Sequence, residues 1–367
     1  MTKRIIGFLI LALYFVVIAV ALSEGPLISI QSIFLGIIGL IIIILSASEL
    51  AKLINLVDIP DGIRKTHKGH IPLIGGLALF ISFIYFSIVI GVENFFYILI
   101  LSLIPIIVIG TIDGVKGVRV PITLRIIAQI IASWIVIGLT DVYIKDLGDL
   151  FGIGTFYLGG FGIPFTVFGV VGMCNAINML DGKDGLAGSV SVIIFSGILL
   201  RFFLEAQIFN WAAIMILSLL VFLCFNLGLF GKKRKIFLGD HGSTGLGHMI
   251  AWTFIFLSQE SNMITPVSAL YFVAVPLLDA LLTFTRRVRS DQTIFASDNL
   301  HFHHLLSKKG YSDTFILFLI SFAAILAVLF AVFSILFDLK ETNLFFGFIT
   351  IFIALVLLGR GKPRSIE

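Results

Sequence analysis

Apolar stretches near the length that crosses a bilayer recur from end to end of this 367-residue chain, and they limit what it can fold into. Twelve are read: 5–22, 29–48, 73–91, 95–111, 122–140, 163–179, 187–204, 211–230, 245–258, 264–285, 313–337 and 343–360. A helix satisfies its own backbone groups in hydrocarbon, so the expected fold is all-α. It is a polytopic integral membrane protein with about 11–12 transmembrane helices. With 59% hydrophobic and 13% charged residues, no stretch is polar and long enough for a separate soluble domain. Residues 1–367 therefore read as one transmembrane domain. Met1-Thr2-Lys3-Arg4 with Ala19-Val20-Ala21 imitates a signal peptide, but the apolar run is long for one and reads as an uncleaved first span. Cys174 and Cys224 fall in apolar segments and read as buried small residues, not as a disulfide or a metal pair. No internal repeat is visible, which weakens an inverted-repeat transporter reading.

Charge sets the orientation. With the amino terminus in the cytoplasm and the spans alternating, all of the 25 Lys and Arg residues but Lys145, Arg201 and Lys340 fall at the inner face. All seven histidines fall there too: His67, His70, His241, His248, His301, His303 and His304. The inner loops are then 49–72, 112–121, 180–186, 231–244 and 286–312. Of the outer loops only 141–162 is long; it is rich in glycine and aromatic residues, as a small hairpin or re-entrant piece would be.

The inner loops hold the residues that carry chemistry. The first contains Asp58, then Arg64-Lys65-Thr66-His67-Lys68, and ends at Gly75-Gly76, where a helix begins. Clustered cations and bare N–H groups at a helix start suit phosphates, although they also serve as a topology anchor and a packing notch. The second opens with Asp113-Gly114, a carboxylate at a span end, which is costly in a membrane protein unless it is used. Arg125 and Gln129 follow one helical turn apart and point to one face, inward. The third, Asn175-Ala176-Ile177-Asn178-Met179-Leu180-Asp181-Gly182-Lys183-Asp184-Gly185, repeats an amide or carboxylate every third residue. Helical turns bring the four to one side, where a hydrated divalent cation with phosphates would satisfy them. The fourth carries Lys232-Lys233-Arg234-Lys235 ahead of Gly239-Asp240-His241-Gly242-Ser243, and Asp240 reads as a metal ligand. The fifth carries Arg286, Arg287 and Arg289, then Asp298 and His301-Phe302-His303-His304. No Cys or Glu completes a tetrahedral site around these histidines, so they read as donors to phosphate or sugar. Asp279 is expected to orient an arginine from inside the bundle.

Taken together, and in this order over residues 58–304, the five loops resemble the polyprenyl-phosphate N-acetylhexosamine-1-phosphate transferase family. That family is related to the phospho-N-acetylmuramoyl-pentapeptide transferase of peptidoglycan synthesis. Asn175-x-x-Asn178-x-x-Asp181-Gly182-x-Asp184-Gly185-Leu186, Phe237-Leu238-Gly239-Asp240-x-Gly242-Ser243 and His301-x-His303-His304 carry the match, with Arg64-Lys65-x-His67 favouring the N-acetylhexosamine branch. One departure stands out: where the family usually has two adjacent aspartates, this chain has Asp113-Gly114.

The resemblance implies a Mg²⁺-dependent reaction, with Mn²⁺ as a substitute. A polyprenyl (undecaprenyl) phosphate oxygen attacks the sugar-linked phosphorus of a UDP-amino sugar, UMP leaves, and a lipid-linked diphosphate sugar remains, starting a cell-surface glycan. It implies catalytic roles for Asp113, Asp181, Asp184 and Asp240, with metal at Asp240 and Asp184. Asp113 would hold or deprotonate the lipid phosphate. Substrate would be bound by Arg64, Lys65, His67, Asn178, Arg286, Arg287, His301, His303 and His304. The expected place is the inner (cytoplasmic) membrane, multi-pass, with the site facing the cytoplasm. The expected partners are the two substrates and the membrane, with no nucleic acid; a homodimer is left open. Three other readings stand beside this one. They are another UDP-amino sugar on the same scaffold, a non-catalytic member that lost activity with the second aspartate, and a secondary transporter with an acidic ion site.

Overall fold

The computed structural model describes residues 30–59, 69–290 and 301–358, and these are mainly helical, with only one two-residue strand pair. In chain order the helices are α1 (Ile30–Leu53), α2 (Gly75–Ile90), α3 (Asn94–Ser102), α4 (Ile104–Gly114), α5 (Ile122–Thr140), α6 (Gly162–Leu180), α7 (Leu186–Phe203) and α8 (Asn210–Asn226). There follow α9 (Asp240–Gln259), α10 (Pro266–Phe272), α11 (Ala274–Arg289), α12 (Phe302–Lys308), α13 (Asp313–Leu336) and α14 (Glu341–Leu358). A short antiparallel hairpin, β1 (Val57–Asp58) with β2 (Ile71–Pro72), pairs Val57 with Pro72. Eleven of the twelve expected spans fall, apart from residues 29 and 359–360, among the described residues, and each is largely helical; the first, 5–22, lies outside them.

Seven helices, with α3 and α4 taken as one, are long and apolar enough to cross a membrane, and the bent pair α10–α11 makes an eighth. The chain is a multi-pass membrane protein. Two expected spans are broken, and proline explains both. Pro105 and Pro276 each lack an N–H and would clash with the carbonyl four residues back, at Leu101 and Phe272. The helix therefore restarts at Ile104 and at Ala274, and α10 and α11 meet at 85° instead of forming the straight span expected over 264–285. Pro266 opens α10, where a missing N–H costs nothing, behind a Thr265–Ser268 capping box.

Helix α9 lies at the centre, packed on α6, α4 and α2. Close approach is built from residues without side chains: any Cβ at Gly247 would collide with the backbone of Met173 and Cys174 on α6, and one at Gly76 with Gly242. Helix α8, apolar on every side and buried almost throughout, packs between α7 and α2 as a core helix does. Its Trp211 lies stacked on Phe96 while the indole N–H donates to Thr253 Oγ1 at 2.9 Å.

Residues 141–162 form the hairpin foreseen, with an antiparallel bridge between Asp146 and Tyr157. His248 is buried two turns into α9, where it meets Ser102 Oγ at 2.8 Å beside the α3–α4 break.

Candidate active site

The polar residues of the inner loops meet around the first turn of α9. The stretch leading to it is laced onto the start of α2. Phe237 N donates to Pro72 O, Gly75 N to Phe237 O and Gly76 N to Leu238 O, each at 2.9 Å. Gly239 then turns with φ +75°, a conformation that favours glycine, and Asp240 becomes the first residue of the helix. There the helix dipole favours a carboxylate.

Asp113 sits in the last turn of α4, where the dipole opposes it. Its compensation comes from Val120 N, which donates at 2.8 Å, and from Arg125 on α5. Arg125 is the pivot of the site: one of its terminal nitrogens reaches Asp113 at 3.3 Å and Asp240 at 2.9 Å. Two carboxylates 127 positions apart are thus held by one guanidinium. Asn178, at the end of α6, donates its amide to Ser243 Oγ at 2.8 Å and to Asp240 at 3.4 Å. Asn175, one turn earlier, bonds Gln129 at 3.0 Å, so it braces α6 on α5 away from the carboxylates.

Asp181 caps α6. Burial first, then the charges of Asp240 and Asp184, hold its carboxyl well above the usual range. Asp184 is paired with Lys235, whose ammonium also lies over the Phe237 ring. Four carboxylates, Asp113, Asp181, Asp184 and Asp240, therefore share this corner, with Arg125 and Lys235 paired to three of them. Such a set repels a nucleotide diphosphate until a divalent cation enters. Among the described residues no three His, Cys, Asp or Glu side chains form a closed cage for a metal. An open acidic corner fits Mg²⁺, which uses one or two carboxylates and completes its shell with water and substrate phosphates.

The histidines border the same corner. His303 is fully buried and packs its ring on Gly182, where any Cβ would collide with it. Burial, then His304, His301 and Lys183, push its pKa down to about 3, so the ring is neutral, and both its nitrogens lack a hydrogen-bond partner among the described residues. Buried polar atoms of that kind are normally satisfied, and a ligand hydroxyl or phosphate would do so here. Asp279 orients a histidine and not, as expected, an arginine: it meets His301 Nδ1 at 3.0 Å and accepts from Phe302 N at 2.8 Å. The reason is α12, which starts at Phe302 and turns its first N–H toward α11. Arg286 and Arg287 lie in the last turn of α11, with Arg287 buried against the Phe284 ring. Arg64, Lys65, His67 and Asp298 lie outside the described residues.

The structure thus brings Asp113, Asn178, Asp181, Asp184 and Asp240 together, with His301, His303 and His304 alongside. The bridging role of Arg125, the clamp of Lys235 on Asp184 and the Asn178–Ser243 bond escape a reading of the sequence. Only the inward face shared by Arg125 and Gln129 hints at the first.

The pattern of glycosyl transferase family 4 matches residues 95–258. The undecaprenyl-phosphate alpha-N-acetylglucosaminyl 1-phosphate transferase of Escherichia coli O157:H7 is 34% identical over 287 residues, covering 76% of this chain and 77% of its own. The protein of that name from Haemophilus influenzae is 34% identical over 328 residues, covering 88% and 91%. The one from Yersinia pestis is 33% identical over 290 residues, covering 78% and 79%.

Proposed function

The chain belongs to glycosyl transferase family 4, among the polyprenyl-phosphate N-acetylhexosamine-1-phosphate transferases, and on that premise we propose that it moves an N-acetylhexosamine 1-phosphate from a UDP-sugar to undecaprenyl phosphate at the cytoplasmic face of the inner membrane. A lipid-phosphate oxygen forms the new bond to the sugar-linked phosphorus. The bond from that phosphorus to the UMP oxygen breaks, and UMP leaves with the electron pair. The observation that carries this reading is Arg125 joining Asp113 to Asp240, because it puts two inner-loop carboxylates at one corner. Phosphoryl transfer asks mainly for positioning and charge balance, which such a corner supplies.

Asp113, half-buried beside a fixed cation, receives the lipid phosphate and holds or takes its proton. Asp240, with Asp184 and Asp181 beside it, would hold Mg²⁺, Mn²⁺ serving in its place. That ion would neutralise the diphosphate and polarise its phosphorus–oxygen bonds. Asn178 fixes Asp240 and faces the nucleotide side. Arg286, Arg287 and the His301–His304 cluster take the diphosphate and sugar, with Arg64, Lys65 and His67 on the first loop.

The test is purified protein given undecaprenyl phosphate and a panel of radiolabelled UDP-sugars, UDP-N-acetylglucosamine among them. Stoichiometric UMP and a lipid-extractable diphosphate sugar are expected. No UMP from any UDP-amino sugar, with Mg²⁺ present, would remove the reading.

A further inference from the structure

The glycine that follows Asp113 has a place in the fold that the sequence does not disclose. Gly114 is the last residue of α4, and a Cβ there would lie 2.8 Å from Leu56 Cδ1 and 3.5 Å from Leu73 Cδ1. Leu56 is 2% exposed, so its side chain has little room to withdraw. Asp113 faces elsewhere, since one residue turns the side chain about 100° around a helix of 3.6 residues per turn. Its carboxylate meets Val120 N and Arg125, whereas position 114 faces the base of the β1–β2 hairpin.

That hairpin ties the inner loops together. Leu73 N donates to Leu56 O at 3.1 Å, and Lys116 N, just past α4, to Asn55 O at 3.0 Å. On its far side Pro72 O accepts from Phe237 N, three residues before Asp240.

We propose that Gly114 is a positioning residue: its bare α-carbon lets Leu56 seat the β1–β2 hairpin on the end of α4. This contact, and not a second carboxylate, sets the spacing between Asp113 and the stretch that carries Asp240. The carboxylate set is then complete without an acid at 114, and the Asp-Gly pair marks a working site. The inference rests on the reaction proposed above for its kinetic arm only.

Gly114→Asp, Gly114→Ala, Leu56→Val and Gly114→Ala/Leu56→Val would be compared in nanodiscs by two readouts. One is amide hydrogen exchange in peptides covering 54–58 and 71–76; the other is the rate of UMP release. Both single changes at 114 are expected to speed exchange and to lower kcat by roughly 10–100-fold, the scale of an ångström-level misplacement. Leu56→Val, which removes the methyl that is struck, should return Gly114→Ala toward the Leu56→Val reference in both readouts. A rise in kcat for Gly114→Asp would overturn the proposal, as would unchanged exchange in Gly114→Ala. If the wild type releases no UMP, the proposed reaction fails but the exchange arm still decides the role of Gly114.

Discussion

The two ends of α9 make polar constellations of opposite character. At the outer end the Gln259 amide is used up: its oxygen accepts from Lys145 N at 2.7 Å and Asp146 N at 3.3 Å, and its nitrogen donates to Asp146 O at 3.2 Å. Beside it Asp149 accepts from Gly152 N and Gly154 N, and Glu341 from Asp149 N. These partners are supplied by the hairpin and by α14, so the group ties α9, the hairpin and α14 together. At the inner end the bonds to Asp240 are 2.9 and 3.4 Å long, its side chain is 51% exposed, and Arg125 is shared between it and Asp113. The outer group ties three elements of the fold together through backbone groups, whereas the inner group sets carboxylates from separate loops around an exposed Asp240. The second arrangement is the one proposed above to hold the substrates.

The contrast can be broken by substitution. Asp240→Asn should cost the most, roughly 10²–10³ in kcat, the usual effect of removing one group that stabilises transition-state charge. Arg125→Ala should follow, lowering the rate on the order of 10²-fold. Arg125→Lys should recover only part, because the shorter lysine side chain carries its charge on a flexible stem and does not hold it rigidly at the point where one guanidinium nitrogen meets both carboxylates. Equal losses from Asp240→Asn and Gln259→Ala, measured as UMP release, would erase the distinction between the ends.

Stability should move in the other direction. Gln259→Ala should lower the melting temperature, at a cost of about 1–3 kcal/mol for the hydrogen-bonding groups left unpaired, while the rate well below melting stays near wild type. Asp181→Asn should raise the melting temperature at pH 7.5 in EDTA while lowering kcat, by less than Asp240→Asn does. A carboxyl held above its unfolded pKa stabilises the fold when protonated and loses that contribution as pH rises through its folded value. The gain from Asp181→Asn should therefore shrink as pH falls and vanish below the unfolded aspartate range near about 3.9. A gain that persists at low pH would assign the effect to packing.

Much of this architecture was legible in the residues. Apolar length and the Lys and Arg bias give a multi-pass helical chain, and three-residue spacing puts Asn178, Asp181 and Asp184 near one another. Pro105 and Pro276 were equally readable as helix breaks, but hydropathy averages across them and hides the bend. Arg125 was the harder case. Its partners lie 12 and 115 positions away, and only the crossing of α4, α5 and α9 makes them neighbours. Gly114 was harder still, because its neighbour Leu56 arrives through a hairpin two residues per strand long, below the length at which alternation gives a strand signal.

The most direct test of the central claim is UMP release by Asp240→Asn beside the wild type, with UDP-N-acetylglucosamine, undecaprenyl phosphate and Mg²⁺. If the corner held by Arg125 is where the phosphates meet, the variant falls by roughly 10²-fold or more at saturating substrate. A variant that keeps the wild-type kcat would place the chemistry elsewhere in the molecule.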